Sequence, residues 1–174
     1  MQKTIYAVLI SLFMSSAWAD TLKDMPKRKS GLWDLSMKMN TSSAPMRMQQ
    51  CVDEKSDDLM RQQGEQQSHA KCSKNTVDKS GNRITTTESV CKFGETTATT
   101  KAVFTGDFTT AYRGEISSSF NPPMHGMKES SQVIDAKWLG PCKPGQKPGD
   151  VMMPGREKIN PAEMMKNLPK PAGR

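Results

Sequence analysis

Four cysteines constrain this chain more than any other feature of its sequence: Cys51, Cys72, Cys91 and Cys142. An even set of cysteines in an exported protein is typical of disulfide bonds, and four cysteines allow three different pairings. Zinc binding is the competing interpretation, but no C-x-x-C spacing is present, which argues against it. We therefore predict two disulfides, and the fold has to bring these four positions together in pairs.

The first residues of the chain predict export. Lys3 is followed by an apolar run, Ile5 to Met14, and small residues precede Asp20. This pattern is typical of a secretory signal peptide cleaved after Ala19. The alternative is a membrane anchor, but a spanning helix needs about 20 apolar residues, and serines interrupt this run. We expect residues 1–19 to be removed and the mature protein to be periplasmic, where disulfides persist.

The segment between the second and third cysteines favours one pairing. It contains Gly81-Asn82, a dipeptide that is typical of a two-residue hairpin loop. In that register Cys72 lies directly opposite Cys91, and Val77 opposite Thr86. Directly opposed strand residues have Cβ atoms about 4.5–5.5 Å apart, which is close to what a disulfide needs. We predict a Cys72–Cys91 bridge, which leaves Cys51–Cys142 to join the two ends of the domain.

Alternating apolar and polar residues predict several strands. The clearest case is the run Trp33, Leu35, Met37 and Met39, and similar segments follow at residues 46–51, 93–104, 108–120 and 128–138. Asn121-Pro122-Pro123 is expected to break the chain between the last two. A short helix from Glu54 to Gln63, capped by Asp53, is the exception. The fold class is therefore mainly all-β, an antiparallel meander or half-open barrel with one short helix.

Composition divides the mature chain into two parts. Residues 20–142 are expected to form a single disulfide-bonded β domain, and residues 143–174 a flexible, disordered tail rich in proline and lysine, with a short helix near Asn160. The formal charge of +7 resides largely in this tail. The tail either contacts anionic envelope surfaces or is merely solvated. No basic platform rich in aromatic residues is present, so we expect no nucleic-acid partner.

Several short motifs, in this order, resemble one bacterial family. They are Gly31-Leu32-Trp33, Cys51, Cys72, Ser80-Gly81, Cys91 and Trp138-Leu139-Gly140-Pro141-Cys142. Over residues 29–142 the chain resembles the domain-of-unknown-function family numbered 3617. The resemblance implies a small exported protein of Gram-negative bacteria, periplasmic and without an assigned activity.

Twelve methionines remain after residues 1–19 are removed. If residues 40–45 close a hairpin in which Met37 faces Met48 and Met39 faces Met46, four thioethers share one face of a sheet. Thioethers are ligands that suit Cu(I), so these four methionines are a candidate copper site. The alternative is that the methionines fill an irregular core or an adaptable apolar groove.

Little in the sequence supports the hypothesis that this protein is an enzyme. His69 and His125 are the two histidines, and no known catalytic motif is present. The acidic run Asp53, Glu54, Asp57 and Asp58 is more typical of charge bias at a helix N-terminus than of an acid–base pair. The cysteines are assigned to disulfides, which removes a thiol nucleophile.

A binding role remains. A curved sheet with one apolar face can hold a small hydrophobic ligand. The candidate lining residues are Trp33, Phe104, Tyr112, Phe120 and Trp138, which are also the residues that any core would use. The sequence therefore predicts a non-enzymatic periplasmic protein, monomeric and without a transmembrane segment or cofactor. It would bind or stabilise an envelope component or a small apolar ligand; the alternative is a methionine-based Cu(I) binder.

Overall fold

A computed structural model describes residues 26–58, 71–81 and 84–166 of the chain. The predicted signal peptide and the second half of the predicted helix lie outside these residues. The described residues form eight strands: β1 (Gly31–Met39), β2 (Met46–Val52), β3 (Lys71–Ser80), β4 (Ile84–Phe93), β5 (Thr96–Gly106), β6 (Ala111–Met124), β7 (Met127–Gly140) and β8 (Val151–Met152). Residues 54–58 are helical, and a short helix, α1, covers Pro161–Lys166.

All eight strands belong to one antiparallel sheet with the order β3-β4-β5-β6-β7-β1-β2-β8. The strands from β3 to β7 follow one another as a meander. The chain then closes back on its beginning, because β7 pairs with β1 along most of its length. Since β3 and β8 lie at opposite ends of the order, the sheet is open. The predicted fold class, a mainly β chain with an antiparallel open sheet, is confirmed.

The first hairpin has a different register from the one predicted. Met37 pairs with Met46, and Met48 lies opposite Leu35, so β2 is displaced by two residues. Met39 is paired instead with Gln132 of β7. Because side chains alternate with a period of two, a shift of two residues leaves all four predicted methionines on the same face.

Both predicted disulfides are present, Cys72–Cys91 and Cys51–Cys142. In the cysteine hairpin, Cys72 lies opposite Cys91 as predicted, but the register shifts between Cys72 and Lys74. Beyond this irregularity Val77 faces Thr87 rather than Thr86, and Ser80 pairs with Ile84. A bulge therefore allows the disulfide to coexist with the shifted register.

The longest strands run through a segment that was expected to break. β6 extends through Pro122 and Pro123 to Met124, and the chain turns at His125-Gly126. Both residues of this turn have positive φ, 49° and 81°, as a tight hairpin loop of this kind requires. The motif Met124-His125-Gly126-Met127 is therefore a hairpin tip, in which Met124 pairs with Met127.

Residues 143–166 differ from the expected flexible tail. β8 pairs with β2, and Val151 forms a bridge with Ile159. Asp150 is 2% exposed and accepts hydrogen bonds from the backbone N–H of Lys147 and from the Asn160 side chain. The Lys158 ammonium lies 2.9 Å from Asp150 Oδ2, the same oxygen that accepts the hydrogen bond from Lys147. Buried polar contacts and backbone pairing hold this segment together with the buried side chain of Val151, so hydrophobic content alone does not predict it.

The core lies at one end of the sheet. Trp33, Leu35, Val52 and Ala136 form a buried cluster, and Met48, Tyr112 and Trp138 pack against it. Trp33 is fully buried. It comes from β1, which lies between β7 and β2, so its indole ring anchors three neighbouring strands at once.

Candidate functional site

The two faces of the sheet have opposite chemistry. We define the apolar face by the side chains that share the side of Trp33: they alternate along β1, β2, β5, β6 and β7. In strand pairing they form rows such as Met46–Met37–Ile134–Gly114–Phe104. Over Trp33–Met39, Met46–Val52, Ala98–Gly106, Tyr112–Ser118 and Ser130–Trp138, all of them described, this face carries no carboxylate, ammonium or guanidinium group.

The alternate positions of the same strands form the charged face. Over the same ranges it carries eight ionisable side chains: Asp34, Lys38, Arg47, Lys101, Arg113, Glu115, Asp135 and Lys137. These residues are mostly exposed, and the Arg113 guanidinium bonds both Glu115 (3.0 Å) and Asp135 (2.7 Å). The charges of this face thus belong to a solvent-facing surface.

Four of the five predicted lining residues lie at one end of the apolar face. The rings of Trp33 and Tyr112 are 5.6 Å apart, and Trp138 packs against the same cluster. Phe104 joins the group through Phe108, a residue that the sequence analysis did not single out. Trp33 is part of the buried core rather than an accessible wall, and Tyr112, Trp138 and Phe104 are partly buried.

The fifth predicted residue lies elsewhere. Phe120 is opposite Ala98, towards the far end of β6, and is partly buried. The sheet thus separates Phe120 from the aromatic cluster by several residues along the strand.

Phe108 connects the aromatic rings. It lies in the turn between β5 and β6 with a φ of 55°, is 5% exposed, and stacks on Tyr112 at 4.6 Å. The sequence placed Phe108 at the start of a strand. Its real position depends on Asp107, whose carboxylate accepts hydrogen bonds from the backbone N–H groups of Thr109 and Thr110. Hydrogen bonds from Thr110 and Thr109 hold the pKa of Asp107 well below its usual range.

Residues 26–30, which form the lead-in to β1, and the helical segment 54–58 cover the aromatic end of the apolar face. Arg28 donates from Nε to the Asp57 carboxylate at 2.9 Å and from a terminal nitrogen to Gln50 at 2.9 Å. The side chains of this ion pair are only 12% and 6% exposed. Burial raises the pKa of Tyr112, which lies beside this pair. The Lys29 ammonium lies 3.7 Å from the centre of the Trp138 ring, which adds a cation–π contact.

The acidic run at the start of the helical segment has structural partners. Asp53 and Ser56 form reciprocal caps, in which the Ser56 N–H donates to Asp53 and the Asp53 N–H donates to the Ser56 hydroxyl. These hydrogen bonds lower the pKa of Asp53. Lys27 pairs with Glu54 and Asp58. Each of the four carboxylates therefore stabilises the helical segment or its contact with the lead-in.

Next to the aromatic end, the apolar face continues as a patch of flexible and branched side chains, of which Met48 also packs against the core cluster. We call it the methionine patch; its members are Met37, Met39, Met46, Met48, Ile116 and Ile134. Met46 and Met39 are 50% and 40% exposed, and the other four are partly buried. The structure brings Met37 and Met46 directly opposite each other. Neutral polar residues, Gln132 and Ser118, border the patch.

In the described part of the chain, no three His, Cys, Asp or Glu side chains converge as a metal site. His125 lies exposed at the hairpin tip, and His69 is outside the described residues. No described helix is long and apolar enough to cross a membrane.

Comparisons with known proteins place the chain in a family. The family model described as "Protein of unknown function (DUF3617)" matches residues 28–142, about two thirds of the chain. No curated protein and no solved structure matches the chain. The match covers β1 to β7 and ends at Cys142, whereas β8 and the segment around Asp150 lie beyond it. The chain therefore belongs to the DUF3617 family of proteins of unknown function.

Proposed function

We propose that this protein is a non-enzymatic binding protein of the periplasm, and that the methionine patch holds a small, uncharged apolar ligand such as a hydrocarbon chain. The observation that carries the proposal is the contrast between the faces. Over the ranges given above, the apolar face of the five strands carries no charged side chain, yet Met39 and Met46 remain substantially exposed on it. A core would bury these thioethers, whereas a binding surface presents them.

The character of the patch fits an adaptable hydrophobic surface. Methionine side chains are unbranched and polarisable, and they repack around apolar ligands of different shape. Covering such a surface gains about 25 cal/mol per Å² of apolar area, before the cost of association. Because the bordering residues are neutral, a charged headgroup would find no partner on this face. The ligand is therefore inferred to be neutral.

Three features support the periplasmic and non-enzymatic parts of the proposal. Residues 1–19 have the sequence pattern of an export signal, and disulfides such as these two persist in an oxidising compartment. None of the described cysteines is free, which leaves no described thiol nucleophile. The acidic run, the one group of clustered carboxylates that suggested catalysis, is engaged in caps and ion pairs.

Titration with an uncharged fluorescent probe, N-phenyl-1-naphthylamine, tests the proposal. We expect saturable binding with a Kd on the order of 10 µM. Met46→Lys places an ammonium group beside the ligand and should weaken binding about tenfold or more. The matched control is Val103→Lys, since Val103 is 41% exposed but lies on the charged face. Absence of binding to the wild type, or equal losses in the two variants, would sink the proposal.

A second candidate function uses the same methionines. Met37 faces Met46, and Met39 and Met48 share their face, so several thioethers could coordinate Cu(I) together. Substituting leucine at all four positions separates the two candidates, because leucine keeps the apolar surface and similar volume but removes the sulfur. Cu(I) binding, measured with ascorbate as reductant so that the disulfides stay intact, should be lost in this variant. The apolar probe should still bind to it.

A further inference from the structure

The charged face contains a groove of about 460 Å³, which is within the usual size range for small-ligand sites. Its walls come from β1, β2, β5, β6 and β7. The lining includes the hydroxyl of Ser36 and five charged side chains: Asp34, Arg47, Arg113, Asp135 and Lys137. This groove lies on the opposite side of the sheet from the methionine patch.

Strand register places these side chains in two rows. In the first, Arg47 lies opposite Ser36, Ser36 opposite Asp135, and Asp135 opposite Arg113. In the second, two residues along the strands, Asp34 faces Lys137. From the strand spacing and rise, Arg47 and Lys137 lie on diagonal corners with their backbones about 12 Å apart. Both long side chains can therefore approach a ligand held between them.

The three cations of the groove are not equivalent. Arg113 is held by Asp135 and Glu115 through hydrogen bonds of 2.7 and 3.0 Å. Arg47 and Lys137 form no ion pair with any residue in the described ranges, although Asp34 is a strand neighbour of Lys137. Arg113 thus neutralises Asp135, while two cations keep their charge and hydrogen-bonding capacity for another partner.

We propose that this groove binds the anionic group of a small ligand, a carboxylate or a phosphate, through Arg47 and Lys137. The half-buried Ser36 between Arg47 and Asp135 supplies a hydroxyl donor. The lining holds three cations and two carboxylates, and Glu115 outside the lining also bonds Arg113, so the cations without an ion pair in the described ranges are Arg47 and Lys137. Arginine can bind either kind of anion with two parallel hydrogen bonds. Asp34 opposes the anion, so it limits the affinity of the groove.

The test is a titration with inorganic phosphate and, separately, with acetate at low ionic strength, followed by the ¹⁵N–¹H signals of the backbone and the arginine Nε groups. We expect saturable shifts at Arg47, Lys137 and Ser36 and a dissociation constant that Arg47→Ala or Lys137→Ala weakens about fivefold. Lys92→Ala, an exposed cation on β4 outside the groove, is the matched control and should change affinity less than about twofold. Tighter phosphate binding would identify a phosphate-bearing ligand, and equal or tighter acetate binding a carboxylate.

The sharpest variant is Asp34→Asn, because it removes the opposing charge without removing a cation. It should tighten anion binding about threefold or more. Unchanged or weaker binding in Asp34→Asn would overturn the site, as would shifts spread evenly over all exposed cations or an undiminished affinity in Arg47→Ala. Because this site lies on the opposite face and uses a charged probe, its failure leaves the apolar-probe experiment unaffected.

Discussion

The two faces of the sheet are built from alternating residues of the same strands, yet they have different consequences for the molecule. On β1, Trp33 and Leu35 point into the core, while Asp34 and Ser36 line the charged groove. The apolar face supplies stability at its aromatic end and an exposed patch beyond it. On the charged face Leu32 and Cys51 are buried, whereas seven of its eight ionisable side chains are exposed and can be substituted at low cost in stability. Stability can therefore be tested at the aromatic end, and recognition at the methionine patch and the charged groove.

The largest expected effect comes from the core of the apolar face. Trp33 is fully buried and packs on Tyr112, so Trp33→Ala removes a large side chain and leaves a cavity. We expect a loss of about 4 kcal/mol in the free energy of unfolding, measured by urea denaturation with the disulfides intact. Arg113→Ala on the charged face should cost less than about 1 kcal/mol. Equal losses would remove the distinction between the faces.

A smaller effect is expected from the ion pair that closes the aromatic end. The Arg28–Asp57 side chains are 12% and 6% exposed, whereas those of Arg113 and Asp135 are 49% and 57% exposed. Removing one partner of the buried pair leaves an uncompensated charge, so Arg28→Ala should cost about 3 kcal/mol. The double variant Arg28→Met, Asp57→Leu should recover most of this loss. A double variant as unstable as the single one would contradict this account of the pair.

The third effect concerns the segment after Cys142 and depends on pH. Burial acts to raise the pKa of Asp150, but hydrogen bonds from Lys147, Lys158 and Asn160 outweigh it and leave the pKa below its ordinary value. The ionised carboxylate therefore stabilises this segment above the unfolded-state pKa, near 4, and that stabilisation is lost as the pH falls through the folded pKa.

Hydrogen exchange at Val151 and Ile159, which bond each other through their backbones, measures this stabilisation. Protection of these amides should fall in acid in the wild type. In Asp150→Asn it should be lower by about 2 kcal/mol at neutral pH and nearly independent of acid pH. Acid-sensitive protection in Asp150→Asn would show that another group controls the segment.

The sequence was most informative where interactions are local. The Cys72–Cys91 pairing followed from a turn signal nine residues from either cysteine, and alternation located β1 correctly. The register of β1 with β2 was wrong by two residues, because nothing between Asn40 and Pro45 specifies a turn as strongly as glycine does at Gly81. Two prolines suggested a break at Asn121, but β6 continues through them to a turn at His125.

The parts that the sequence did not predict depend on contacts between distant residues. Arg28 lies just before the first predicted strand and its partner Asp57 lies in a run of helix charges; only the fold buries them together. Residues 143–166 are ordered by Asp150 and by backbone pairing with β2, which composition does not reveal. The charged groove was missed for the same reason, since its lining comes from five strands.

If the methionine patch, and not methionine exposure in general, binds an uncharged apolar ligand, the methyl groups of the patch should respond selectively to that ligand. The most direct test is a titration with 1-decanol of protein labelled with ¹³C at the methionine methyl groups. Met37, Met39, Met46 and Met48 should shift saturably, while Met127, which is 41% exposed at the tip of the β6–β7 hairpin, should stay in place. An equal shift at Met127, or none at the four patch methionines, would contradict this assignment.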